Sequence, residues 1–340
     1  MKPLTRNQLT LLGAGLGIAY GLFARLIFGM HMSGASIFAV MSSSFIIGVP
    51  LALGFITVWL GEYREKYSWG RRVLMPWEAS LVCLLCCLLL AWEGLICVFL
   101  WLPLVLVLSS LGGLLAGLVR MFCPSDRTKN YCLAVVALAP FAAAPLENMR
   151  AAATEIREVR TQIDIRADAH TVWQQIKTVP LITPSEQSFD FIHLLGFPRP
   201  LEARLEGEGV GAVRYATFEK EVLFIETITD WKPDHGLAFT IHADAKTIPP
   251  TTFDEHVTIG GPFFDVLNGT YQIENLGDGV VRLHLSSRQR LSTRFNFYSH
   301  LWTEYLMARL QNYILKVIKL RCEKTSKSVP ASSLQLHAND

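Results

Sequence analysis

A chain of 340 residues, 51% of them apolar and only 18% charged, is longer than one core usually grows and poorer in charge than a soluble domain. Its formal net charge of +2, without any lysine- or arginine-rich run interleaved with aromatics, argues against a nucleic-acid surface. The apolar residues are unevenly spread, so residues 1–149 read as a membrane region, 155–325 as a water-soluble module and 326–340 as a serine-rich disordered tail.

Five stretches of the first region approach the roughly 20 apolar helical residues that a bilayer core requires. They are residues 9–29, 37–60, 79–98, 101–121 and 131–146. The first is too long for a cleaved signal and contains Arg25, so it is expected to be an uncleaved anchor. The last is short and carries Pro140 and Pro145, which membrane helices tolerate better than soluble ones.

Orientation follows from the basic residues. Lys2 and Arg6 precede the first stretch, Arg64, Lys66, Arg71 and Arg72 follow the second, and Arg120, Arg127 and Lys129 follow the fourth. This alternation places the N-terminus and both basic loops in the cytoplasm. With five spans the module lies on the extracytoplasmic side of the cytoplasmic membrane. If the fifth stretch only rests in the interface, the module is cytoplasmic.

Six cysteines (Cys83, Cys86, Cys87, Cys97, Cys123 and Cys132) lie in or beside the apolar region, and Cys322 alone falls in the module. The CxxC spacing at Cys83 and Cys86 has no partner pair, so these thiols are expected to act as small hydrophobes. Arg25 and Glu93 are charges within apolar runs, but each falls near an expected helix end, where it can reach interfacial water. The region reads as an anchor or an assembly platform.

In the module a first strand is expected at 159–165, followed by a helix that Asp168 caps and that carries Val172, Trp173 and Ile176 on one face. Pro180 and Pro184 bracket a second short helical turn. Strands follow at 201–206, 210–218, 222–231, 237–243, 252–259, 269–276 and 280–288, separated by glycine-marked turns suited to an antiparallel meander. One long helix, 294–323, closes the module. Phe295, Tyr298, Trp302, Tyr305, Leu306, Leu310, Tyr313 and Val317 recur on it at helical spacing. The lower part of that stripe reads as core. Tyr298, Trp302 and Tyr305 carry polar tips, and two readings stay open for them, core with satisfied hydroxyls or the wall of a cavity.

Strand, two small helices, long antiparallel sheet and C-terminal helix make the pattern of the helix-grip fold, an α+β architecture. The segments IRADAHTVWQQI (165–176), GVGAVRYATF (209–218), FIETITDWKP (224–233), DEHVTIG (254–260), GTYQIE (269–274) and NFYSHLW (296–302) sharpen this. On these residues the module resembles the SRPBCC superfamily, which includes START lipid-binding domains, birch-pollen-allergen-like proteins and polyketide cyclase/dehydrase-like domains. The resemblance covers about half of the chain. It implies a curved sheet around the long helix, with an apolar cavity for lipids, polyketides or similar molecules between them. Some members do chemistry there, so fold alone does not assign function.

Strand alternation then nominates side chains for that interior. Leu237, Phe239 and Ile241, then Tyr271 and Ile273, then Val281, Leu283, Leu285 and Ser287 are expected to point inward, and Arg282, His284 and Arg288 outward. In 252–259, Phe253, Glu255, Val257 and Ile259 share one face, which would turn Glu255 inward and His256 outward. Glu226 shares a face with Phe224 and is expected to be buried, with Arg214 on the preceding strand as its nearest partner. Three readings stay open for Glu226: a structural cross-strand pair, an anchor for a ligand head group, or an acid–base group. No HExxH, GxSxG, P-loop or dinucleotide fingerprint occurs, and no histidines pair at metal spacing, so no cofactor, metal or catalytic residue is expected. His193 and His256 are single histidines.

The expected function is membrane-anchored binding or transfer of an apolar or amphiphilic small molecule. Phe224, Phe239, Tyr271, Tyr298, Trp302 and Tyr305 would supply apolar surface, and Glu226 or Glu255, with Arg214, would read one polar end. Membrane lipid is the adjacent partner. Two alternatives remain: a cyclase or dehydratase using Glu226 or Glu255, and a regulatory module for a membrane-protein partner.

Overall fold

The computed structural model describes residues 5–30, 38–63, 66–123, 125–243 and 259–328. The chain forms two compact units that part after Ala153, and the short segment Thr293–Phe295 groups with the first.

The first unit is helical. α1 (Arg6–Gly29) opens on a capping box, in which Thr5 Oγ accepts from the Gln8 amide and Gln8 Oε1 accepts from the Thr5 amide. A five-residue π-helical turn (Ser44–Gly48) runs into α2 (Val49–Gly61). α3 (Trp69–Leu89), α4 (Leu95–Phe122) and α5 (Asp126–Asn148) follow. Five helical segments here are long and apolar enough to cross a membrane.

Ser44–Gly61 is 78% buried, far more than the other four, so it forms the centre around which they pack. Glycine makes that approach possible. A Cβ placed on Gly112 would sit 1.9 Å from the Leu51 carbonyl oxygen, and one on Gly54 would sit 1.9 Å from that of Ser109. The α2 and α4 backbones therefore touch, as small residues allow between membrane helices.

The expected third span, 79–98, is displaced: α3 begins at Trp69 and ends at Leu89, and the chain turns over before α4 starts at Leu95. The turn holds Ala91 in a left-handed conformation (φ 53°). Leucines and isoleucines on both sides had hidden it within one apolar run. Glu93 lies at this turn and accepts from Arg25 Nε at 2.5 Å, and Arg25 also donates to the Trp92 carbonyl. Arg71 and Arg72, expected in a loop, lie in the first turn of α3, where Arg72 Nε donates to Glu62 at 2.6 Å. The apolar unit thus neutralises both of these internal charges in pairs.

The second unit is a seven-stranded antiparallel sheet against a long helix. β1 (Glu155–Ile165) leads to α6 (Ala169–Lys177), whose N-cap Asp168 accepts from the Thr171 amide. β2 (Pro200–Glu206), β3 (Val213–Phe218), β4 (Leu223–Lys232), β5 (Gly236–Ala243), β6 (Phe264–Gly277) and β7 (Val280–Leu291) then form a meander. β1 returns to pair with β7, giving the order β1-β7-β6-β5-β4-β3-β2. Lys220 and Glu221 (φ 59° and 61°) turn β3 into β4, and Asp278 and Gly279 (φ 51° and 69°) turn β6 into β7. Two successive left-handed residues match the twist of the flanking strands. α7 (Asn296–Ser328) closes the unit, so residues 326–328 continue the helix rather than opening a tail.

No helix forms between Pro180 and Pro184. Val179 bridges Ala203, and the Ile182 amide donates to the Leu201 carbonyl, so the segment runs extended beside β2. Residues that precede proline are pushed to extended conformations, which is why this stretch resists a helical turn. A single 3-10 turn comes later, at Phe191–His193. The strand expected at 252–259 lies outside the described residues, except for Ile259, which bridges Phe264.

Candidate functional site

Alternation along each strand decides which side chains face α6 and α7. On β7 the buried set is Val281, Leu283, Leu285, Ser287, Gln289 and Leu291. On β3 it is Arg214, Ala216 and Phe218, and on β4 Phe224, Glu226 and Ile228. Leu237, Phe239, Tyr271 and Ile273 join them, as expected of inward-pointing residues. Outside, Arg282 pairs with Asp164 and His284 with Glu274.

Arg214 and Glu226 stand directly opposite each other in the β3–β4 ladder, at 3% and 5% exposure. Arg214 Nε donates to Glu226 Oε2 at 2.5 Å, and its Nη1 donates to the Ile176 carbonyl at 2.6 Å. That carbonyl is in the last turn of α6, where helix carbonyls lack an internal partner. The guanidinium carbon lies 4.6 Å from the centre of the Phe239 ring and 5.7 Å from that of Tyr271. Burial pushes the Glu226 carboxyl upward, and Arg214 opposes that shift. Burial likewise raises the Tyr271 hydroxyl, against the pull of Arg214. The arrangement is a self-neutralised cross-strand pair.

A second polar group lies further along β7. Thr161 on β1 donates to Gln311 Oε1 on α7 at 2.9 Å, and Gln311 Nε2 donates to Ser287 Oγ at 2.8 Å. Gln289 Nε2 donates to the same Oγ at 2.9 Å. Sequence reasoning missed Gln289 because the expected strand stopped at 288, whereas β7 continues to Leu291. The signal was present, since Gln289 continues the alternation that runs from Val281 to Ser287.

α7 is buried on two sides, where a single stripe had been expected. Met307, Gln311, Leu315, Ile318 and Cys322 form one buried line at helical spacing. Leu315, Ile318 and Cys322 pack in the cluster that holds Phe239 and Tyr271. Tyr313 and Val317 pack instead against Ile182 and Val179. Burial pushes the Cys322 thiol up to about 12, which leaves it unreactive.

The nominated site residues therefore divide. Arg214, Glu226, Phe239 and Tyr271 come together. Phe224 lies one cluster away, its ring centre 4.9 Å from that of Phe218 and tilted 56° to it. Tyr298, Trp302 and Tyr305 do not join them. Trp302 meets Tyr305 edge-on, Tyr305 reaches Phe191, and Tyr305 is 44% exposed. Ten residues or more separate Tyr305 from Leu315, about 15 Å along the helix. Glu255 and His256 lie outside the described residues. His193 Nδ1 donates to the Phe197 carbonyl at 3.0 Å and its ring meets Tyr313 edge-on, a loop-fixing role.

No family model matches the sequence, and no curated protein matches it. Solved structures do resemble it. An aromatase/cyclase from a Streptomyces species is 14% identical with a TM-score of 0.33, covering 51% of this chain and 98% of its own. A conserved protein from Geobacillus kaustophilus is 15% identical with a TM-score of 0.32, covering 50% and 97%. Norcoclaurine synthase from Thalictrum flavum is 12% identical with a TM-score of 0.29, covering 48% and 87%. Likeness at this level assigns no activity to this chain.

Proposed function

We propose that this chain is a membrane-anchored binder of an apolar or amphiphilic small molecule, held between the β-sheet and α7. The observation that carries the reading is the make-up of the inner face. Phe224, Phe239, Tyr271 and a run of aliphatic residues line it, and polar side chains that a plain core would replace with leucine interrupt it. Phe224, Phe239 and Tyr271 would supply apolar contact, with the neutral Arg214–Glu226 pair fixing the wall behind them. Tyr298, Trp302 and Tyr305 would mark the other end of the same helix.

The five apolar helices add a second ingredient. Six residues join Asn148 to Glu155, a span of at most about 25 Å when extended. A pocket held that near a bilayer meets apolar ligands at high effective concentration. With five spans and a cytoplasmic N-terminus, the module would work on the extracytoplasmic side.

Photolabelling of the full chain in membranes with a diazirine-bearing apolar probe tests the reading. The expected result is competable label on peptides from 264–291 and 296–328. Label confined to the five apolar helices would overturn it.

A further inference from the structure

We propose that α3 uses Glu78 to dock a membrane-spanning helix of another protein, one that carries a lysine or arginine at mid-depth. The inference rests on the apolar helices crossing a bilayer and is independent of the small-molecule site.

The expected span 79–98 left Glu78 outside, whereas the observed α3 brings it within Trp69–Leu89. Nine residues, about 14 Å of helix, separate it from Trp69. Neighbouring helices fix the same level. Trp77 Nε1 donates to the Leu106 carbonyl and to Ser110 Oγ, near the centre of α4. On the α1 side, Arg71 donates to Thr10, and a Cβ on Gly21 would meet Cys83 Sγ. Glu78 falls between these two levels, which sets it level with the middle of the span Asn7–Gly29.

Glu78 is exposed. Leu74, Leu81, Val82, Leu85 and Leu89 share its face at helical spacing and are exposed with it, so this face of α3 is turned to lipid. Among the described residues no hydrogen bond or ion pair reaches the Glu78 side chain. The other described carboxylates of the helical unit are bound: Glu62 by Arg72, Glu93 by Arg25, and Glu147 by the Ser43 and Ser44 amides. Arg71 lies on the same face as Glu78 but two turns away. Its guanidinium donates to Thr10 and sits 4.1 Å from the centre of the Tyr67 ring.

A carboxylate surrounded by hydrocarbon is costly and calls for a partner. Depth selects the kind of partner. Lipid head groups and hydrated ions stay at the surface, and a chain that crosses the core does so as a helix or a closed barrel. Charge selects its chemistry, a cationic side chain among apolar residues that pack on these leucines. A second copy of this chain fits poorly, since pairing like faces would set Glu78 against Glu78. Its described arginines lie at helix ends or in internal pairs.

Synthetic spanning helices of about 20 leucine and alanine residues, with lysine, leucine or glutamate at the centre, test this. Each carries a coumarin and is titrated into phosphatidylcholine vesicles that hold the full chain, with energy transfer from the chain's tryptophans as the readout. The wild type is expected to bind the lysine helix at least about tenfold more tightly than the leucine helix. Glu78→Gln, which keeps the shape and removes the charge, is expected to lose that preference. Equal binding of the lysine and leucine helices, an intact preference in Glu78→Gln, or tightest binding of the glutamate helix would overturn the assignment. The last of these would point to a second copy. Release of the chain from the vesicles by alkaline carbonate would overturn the membrane reading as well. Should Glu78→Gln fail to fold, the wild-type ranking alone decides.

Discussion

Arg214 and Glu226 face each other across one rung of the β3–β4 ladder, and the guanidinium binds the carboxylate and the last turn of α6 together. The pair ties sheet to helix inside an apolar layer. Breaking it from one side strands a buried charge, whereas removing both partners together does not.

Arg214→Met is therefore expected to destabilise the module by about 3–5 kcal/mol. The double variant Arg214→Met/Glu226→Leu should recover most of that loss. Denaturant unfolding followed by tryptophan fluorescence measures both. Equal loss in the single and double variants would show that the pair contributes through something other than charge balance.

How far the sequence reveals this site depends on the range of the interaction. The hairpin spacing that sets Arg214 against Glu226 is local, and period-two alternation fixes the inner faces of β5 and β7 within a few residues of error. The two buried sides of α7 were not legible. Whether Tyr313 faces the sheet or the segment at Val179–Ile182 depends on a contact more than a hundred residues away. The turn at Ala91–Glu93 was hidden for a related reason, because a hydropathy window averages over the very residues that break the helix. Gln289 was lost to a strand end, the least certain feature of any pattern-based reading.

Glu186 gives the pH dependence. Arg321 binds its carboxylate at 2.7 Å and Thr183 adds backbone and side-chain hydrogen bonds, which together hold it down at about 2. A carboxyl whose folded value is depressed stabilises the fold above its ordinary value and loses that contribution as pH falls toward the folded one. Glu186→Gln should cost roughly 1–2 kcal/mol at pH 7. The gap to wild type should close between about pH 5 and pH 2. A gap that stays constant over that range would remove the ion pair from the account.

Gly112 tests the helical unit. In Gly112→Leu the new side chain would run into the Leu51 carbonyl, forcing α2 and α4 apart. A loss of about 1–3 kcal/mol is expected, read as an earlier melting transition of the detergent-solubilised chain. Gly15, whose added Cβ meets nothing within 4 Å, is the control, and Gly15→Ala should melt like wild type. If Gly112→Leu melted like wild type too, the close α2–α4 packing would be wrong.

Topology is tested by labelling with a membrane-impermeant maleimide on intact cells. Val210 is an exposed turn residue of the module and Lys66 lies between α2 and α3. Five spans predict that Val210→Cys is labelled from outside and Lys66→Cys only after lysis, each above the wild-type background. Labelling of both Val210→Cys and Lys66→Cys only after lysis would place the module in the cytoplasm.

The central claim is that the interior of the second unit holds a small molecule. Native mass spectrometry of the intact chain, purified in mild detergent from its host's membranes, addresses it most directly. The account predicts one defined added mass that persists after detergent and loose lipid are stripped away and is released on unfolding. A folded chain at its bare mass would contradict it.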